Sequence, residues 1–163
     1  MNNKGEMELL LERISVGRLA VTTVDGPYIV ALNYIFLEGC IYFHSGQAGR
    51  KIEALRADSR VCFLVDDVGP QILHEQGCGI SQIYESVMCF GKAEIVEGPV
   101  EKRRILERMV RKFVPKNYPL PPVKDQNIEK TLVVKIVIES MSGKKNELSS
   151  SHTVLPTAVQ VLK

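Results

Sequence analysis

The sequence predicts a mainly β fold, a small antiparallel barrel with flanking helices, and three observations carry that expectation. Short apolar or alternating segments recur through the first half of the chain, closed by turn pairs such as Asp25-Gly26 and Glu38-Gly39. A strongly β-branched run, Leu132 to Val134 and Ile136 to Ile138, follows much later. Nothing between them alternates strand and helix in the way a parallel sheet requires.

Residues 6–14 open the chain as an amphipathic helix, with Met7, Leu10, Leu11 and Ile14 on one stripe and Glu8, Glu12 and Arg13 on the wet side. Gly17 suits its end. Five strands are then expected, at Arg18–Val24, Pro27–Leu37, Cys40–Ser45, Arg60–Val65 and Tyr84–Val96, with a sixth at Thr131–Glu139. In the third, Ile41 and Phe43 share one face and Tyr42 and His44 the other. Two helices interrupt the strands. Gly49–Ala57 carries Ile52 and Leu55 inward, and Pro99–Phe113 carries a stripe of Leu106, Met109, Val110 and Phe113, with Pro99 at its first position. The stretch Gly69–Ile83 reads as a glycine-containing loop, and 115–128, PKNYPLPPVKDQNI, as an extended proline-rich segment. Six strands on short turns make a closed or nearly closed barrel. The expected domain is 1–148, and 149–163 is a terminal tail or arm.

Composition excludes several function classes. The 163 residues suit one domain with a single sizeable core. A formal net charge of +2 gives no reason to expect nucleic acid or an acidic membrane surface, and the basic residues of the Pro99–Phe113 helix alternate with Glu101 and Glu107, as on a solvated face. No apolar run is long enough to span a bilayer. Charges occupy the N-terminal stretch where a signal peptide would be apolar, so the expected location is cytoplasmic. Cys40, Cys62, Cys78 and Cys89 form no metal-ligand spacing and are expected to stay reduced. His74 and Cys78 would supply only half a metal site, so no metal is expected.

The segment that carries chemistry runs from Ile41 to Ile52. A strand ends in His44 and Ser45, two glycines follow, and a helix opens with Arg50 and Lys51. A helix start already carries partial positive charge and unpaired N–H groups, so two cations there are locally unfavourable unless an anion joins them. Phosphate is the natural anion. The alternative is that both side chains simply face solvent. A phosphate-binding P-loop is ruled out, because Gly46 to Lys51 lacks its spacing and its following Ser or Thr.

These residues resemble a family. Tyr42-Phe43-His44-Ser45, Gly49-Arg50-Lys51, Ile52, Leu55 and Asp58 to Phe63 look like the FMN-phosphate segment of the pyridoxamine-phosphate-oxidase-like split barrels, nearest to their nitroimidazole-resistance (Nim) branch. Gly17 to Ala20 before Pro27 to Tyr34, Tyr84 to Val87 with Phe90 to Glu94, and Ile136 to Glu139 before Ser142-Gly143-Lys144 agree in order, so the resemblance covers roughly residues 7–145. It implies a six-stranded antiparallel split barrel and a homodimer with FMN, or FAD, in clefts between subunits. It places Val30, Ala31, Leu32 and Asn33 along the flavin ring, His44, Ser45, Arg50 and Lys51 around the phosphate and ribityl chain, and Ser86 at the site's far wall. His44 is the candidate catalytic residue, either as a proton donor or as a hydrogen-bonded structural histidine.

The implied activity is flavin-dependent oxidoreduction of the Nim nitroreductase type, between a small-molecule electron donor and acceptor. The alternatives are a flavin-binding or flavin-sensing module without turnover, and a haem- or deazaflavin-binding relative. The sequence departs from the oxidases that act on pyridoxamine phosphate. Glu85-Ser86 stands where they carry Arg-Gln, and tryptophan is absent, so that activity is not expected.

Overall fold

In the computed structural model, residues 1 and 3–147 are described, together with the backbone strand Thr153–Val154. Helix α1 (Lys4–Arg13) is capped by Asn3, whose side chain accepts from the Gly5 amide at 2.8 Å. Strands β1 (Val16–Thr23), β2 (Gly26–Asn33), β3 (Ile35–Leu37) and β4 (Cys40–Ser45) follow, then α2 (Arg50–Ala57), β5 (Arg60–Leu73), β6 (Ser81–Ile95), α3 (Pro99–Phe113), α4 (Asp125–Lys130), β7 (Leu132–Asn146) and β8 (Thr153–Val154). The pairings are antiparallel, in the order β2-β1-β5-β6-β7-β4-β3, with β8 added beside β5. This is the mainly β, helix-flanked split barrel expected from the sequence.

Strands β2 and β3 lie at opposite ends of that order, yet one residue, Tyr34, joins them. The sheet must therefore curl until its two edges meet. No ladder joins those edges among the described residues, so the barrel stays split there. The expected second strand, Pro27–Leu37, is thus two strands. Tyr34 is fully buried, packs edge-on against Phe63 at 4.9 Å, and donates its hydroxyl to the Leu11 carbonyl at 2.7 Å. A period-two pattern continues through such a residue and does not reveal that the chain has changed partners.

Three other boundaries differ from expectation. Strands β5 and β6 extend well into the expected Gly69–Ile83 loop as a long hairpin, because backbone pairing tolerates its polar, glycine-containing residues. Strand β7 runs on to Asn146 against β6. The proline-rich segment ends in α4, which buries Ile128. The expected 149–163 tail lies outside the described residues except for the β8 backbone, which pairs Thr153 with Leu73 and Val154 with Ile72.

Two cores result. The barrel interior gathers Leu10 and Leu11 of α1 with Leu19, Phe43, Ile52, Phe63, Val87 and Ile136. Outside the barrel, α3 and α4 cover one wing of the sheet, packing Ile105, Leu106, Met109 and Ile128 on Ile35, Tyr42 and Val133. The alternation in β4 is therefore used on both sides, with Ile41 and Phe43 inward and Tyr42 against α3. Gly91 sits where β6 and β7 shift register. A Cβ there would lie 2.1 Å from the Val137 carbonyl oxygen, which explains the glycine.

Candidate functional site at the split of the barrel

The split gives β2 one side with no strand partner among the described residues. Strand β4 pairs with β3 only from Cys40 to Tyr42, so on that side Phe43, His44 and Ser45 also run free. Two stretches of backbone with unused donors and acceptors thus border one seam. Residues Tyr28, Val30 and Leu32 of β2 pack toward the barrel core, whereas Ala31 and Asn33 point outward and are exposed. Of the four residues expected along a flavin ring, two therefore face each way, and what they share is the open strand edge.

Helix α2 starts at the lower end of this seam. Gly49 holds φ +115°, a conformation in which a side chain would be strained although its space is empty. No side chain caps the helix, and the Gly49 carbonyl accepts from the amides of Ile52 and Glu53. The first amides of α2 are left to bind something else.

The two cations at that start diverge. Arg50 pairs with Asp25 at 3.1 Å, reaches the Thr23 hydroxyl at 3.4 Å, and lies 5.0 Å above the Tyr28 ring. Lys51 turns the other way, over the Phe43 ring at 5.3 Å, and no carboxylate pairs with it among the described residues. Burial pushes its pKa below the usual lysine value. Lys51 is a half-buried cation without a counter-charge beside an uncapped helix start. Solvent-facing indifference does not describe it. The His44 pKa is lowered as well, by burial first and by the Lys51 charge second, so the ring is neutral at pH 7.

On the outer side of the seam, His44 and Asn33 share a chamber of about 620 Å³ with α3 and the segment leading to α4. The sequence singled out His44 and Asn33 but not the residues opposite them. The α3 stripe looked like ordinary core, and only the 43% exposure of Phe113 at its end sets it apart. Asp25 and Tyr28, which hold Arg50, were likewise missed, since a turn aspartate and a strand tyrosine have no local signature.

Ser86 is not brought to this place within one chain. It pairs with Lys144, while His44 pairs with Val133 at the other end of β7. The intervening strand is roughly 36 Å long at about 3.3 Å per residue. Ser86 instead lies on the outer face of β2-β1-β5-β6. On that face the cross-strand row Ile29, Ala20, Cys62, Phe90 lies beside the row Ala31, Arg18, Leu64, Met88. Ile29, Met88 and Phe90 are exposed there at 66%, 36% and 47%. The inner face of the same strands is the barrel core, so these apolar side chains, beside the Arg18–Asp66 pair, lie on a second face that a single chain leaves uncovered.

Among the described residues no cluster of His, Cys, Asp and Glu is fit to hold a metal ion, and no helix is long and apolar enough to cross a membrane.

Comparison with known proteins bears on the family and the fold. No curated protein matches the sequence. A candidate 5-nitroimidazole antibiotic resistance protein from Bacteroides thetaiotaomicron superposes with a TM-score of 0.76 at 28% identity, over 88% of this chain and 84% of that one. An FAD-binding protein from Mesorhizobium loti does so with a TM-score of 0.63 at 26% identity, over 89% and 96%. The flavocytochrome Anf3 from Azotobacter vinelandii shares the fold, with a TM-score of 0.85 at 22% identity over 100% and 81%. The family model for pyridoxamine 5'-phosphate oxidase matches residues 3–145, nearly the whole described chain, and the protein belongs to that family.

Proposed function

We propose that this protein is an FMN-binding oxidoreductase of the nitroreductase type, working as a homodimer with the flavin at the subunit interface. The observation that carries the reading is Lys51, a half-buried cation with no carboxylate partner among the described residues, at an uncapped helix start set beside the free edge of β2. A flavin phosphate would supply the missing anion, and the strand edge would meet the polar rim of the ring. FAD has the same ring and proximal phosphate, so the same contacts would serve it.

When bound, the flavin would supply two-electron transfer from a reduced donor to a small-molecule acceptor. Reduction of a nitro group to a nitroso group takes up two electrons and two protons and releases water. His44, at the seam and open on one side, would hold and deliver one of those protons once the bound phosphate offsets the Lys51 charge that lowers its pKa. Lys51, with the α2 amides, would fix the phosphate. The outer apolar face of β2-β1-β5-β6 supports the dimer, because a partner laid on it would cover both that face and the exposed side of a planar cofactor. Ser86, on the same face, would then reach the partner's site and not its own.

The test is the absorbance of protein reconstituted with FMN, followed by NAD(P)H oxidation with a nitroaromatic present. A flavin spectrum on every chain and donor consumption that depends on the nitro compound are expected. A protein that retains no flavin overturns the reading. Bound flavin without turnover makes the chain a binding module, and a Soret band makes it a haem protein.

A further inference from the structure

The chamber beside His44 differs in chemistry from the phosphate end. Its volume, about 620 Å³, lies within the range of roughly 300–1,000 Å³ usual for small-molecule sites. Met109 and Phe113 of α3 form one wall, and Val114 and Pro122 of the following segment form the next. Its polar groups are Asn33 and His44 on the strand side and Asn127 and Thr131 around α4. In the flavin-free protein all four are uncharged at pH 7, since burial and Lys51 keep the His44 pKa low. Among the described residues no lysine, arginine, aspartate or glutamate lines the chamber. A ligand carrying phosphate, sulfonate or carboxylate would lose hydration there without meeting a counter-charge. A flat apolar ligand would find side chains to cover it and several neutral groups to hydrogen-bond one polar end.

We infer that this chamber is the acceptor subsite of the site described above, and that it takes uncharged, flat, mainly apolar molecules with one hydrogen-bonding end while excluding anionic ones. Its part in turnover rests on the flavin reading, whereas its ligand class rests on the lining alone. Residues Met109, Phe113 and Val114 are then specificity residues, supplied by a helix that packs outside the barrel and by the residue that follows it.

Binding of para-nitrobenzyl alcohol and of para-nitrobenzoate, a pair that differs chiefly in charge, is measured by calorimetry on protein without flavin and on protein loaded with FMN. The alcohol is expected to bind both forms, and the benzoate to bind the flavin-free form at least about tenfold more weakly than the alcohol does. Val114→Trp, which fills the chamber, is expected to weaken the alcohol by about tenfold, a 1.4 kcal/mol change, while leaving the FMN titration and the thermal melt unchanged. Phe113→Ala, at a partly exposed position, gives the same sign and serves if the tryptophan variant does not fold. Equal binding of the two ligands, or indifference to both substitutions, overturns the inference. Loss of the alcohol on loading FMN also overturns it, because the chamber would then belong to the flavin's own seat. Selective alcohol binding by a protein that takes no flavin supports the ligand class and sinks the flavin reading alone.

Discussion

Arg50 and Lys51 stand side by side in sequence, but their surroundings predict unequal contributions to a bound phosphate. Lys51 has no competing carboxylate, so Lys51→Ala should remove a full charge-assisted contact. Such a contact is worth about 1.5–3 kcal/mol, or roughly ten- to a hundredfold in FMN affinity. Arg50 must first weaken its 3.1 Å pair with Asp25. An exposed pair of that kind is worth up to about 1 kcal/mol, so Arg50→Ala should cost about 1 kcal/mol less than Lys51→Ala. Asp25→Asn removes the competitor and should strengthen FMN binding a few-fold. Riboflavin has the ring but no phosphate, and its affinity should barely move in all three variants. Titration of both ligands by flavin fluorescence measures these differences directly. Equal losses for FMN and riboflavin would mean that the two cations support the ring or the fold. An Asp25→Asn variant with unchanged FMN affinity would refute the competition between Asp25 and phosphate.

Three further outcomes are expected. The His44 pKa should lie below its ordinary 6.5 in the flavin-free protein; it should rise when FMN phosphate compensates Lys51, and rise partway in Lys51→Ala, since burial, the larger cause, remains. Histidine proton shifts followed by NMR against pH test this, and a value indifferent to both changes would show that Lys51 does not act on the ring. Phe90→Asp, in the middle of the outer apolar face, should leave a folded monomer that binds FMN weakly, and sedimentation that still gives a dimer would move the interface elsewhere.

The last concerns Lys112 of α3, which donates to the Ile14 carbonyl at 2.6 Å, lies 4.4 Å from the Tyr34 ring, and is held by burial at about 8, below the ordinary 10.5. Between those two values the unfolded chain binds more protons than the folded one, so this group makes stability rise with pH from about 8 to 10.5 and exerts its full cost below about 8. Denaturant midpoints across that window should climb more steeply in the wild type than in Lys112→Met, and identical slopes would contradict the assignment.

Much of the fold was legible because it rests on local chemistry. The three longer helices follow from apolar spacing, Pro99 marks the start of one of them, and the sides of β4 follow from alternation. The phosphate end was legible for a similar reason, since glycine, a helix start and two cations are neighbours in the chain. Family membership followed from the order of several such segments. Tertiary structure alone decided the rest. That Tyr34 carries the chain from one edge of the sheet to the other depends on which strands pair, and pairing is non-local. That Arg50 is held by Asp25 while Lys51 stands unpaired depends on the β1–β2 turn folding over α2. That Met109 and Phe113 face His44, some 65 residues earlier, depends on α3 packing outside the barrel. A sequence records which residues are apolar, charged or conformationally free. Only the curled sheet determines which of them remain without partners, and those residues make the site.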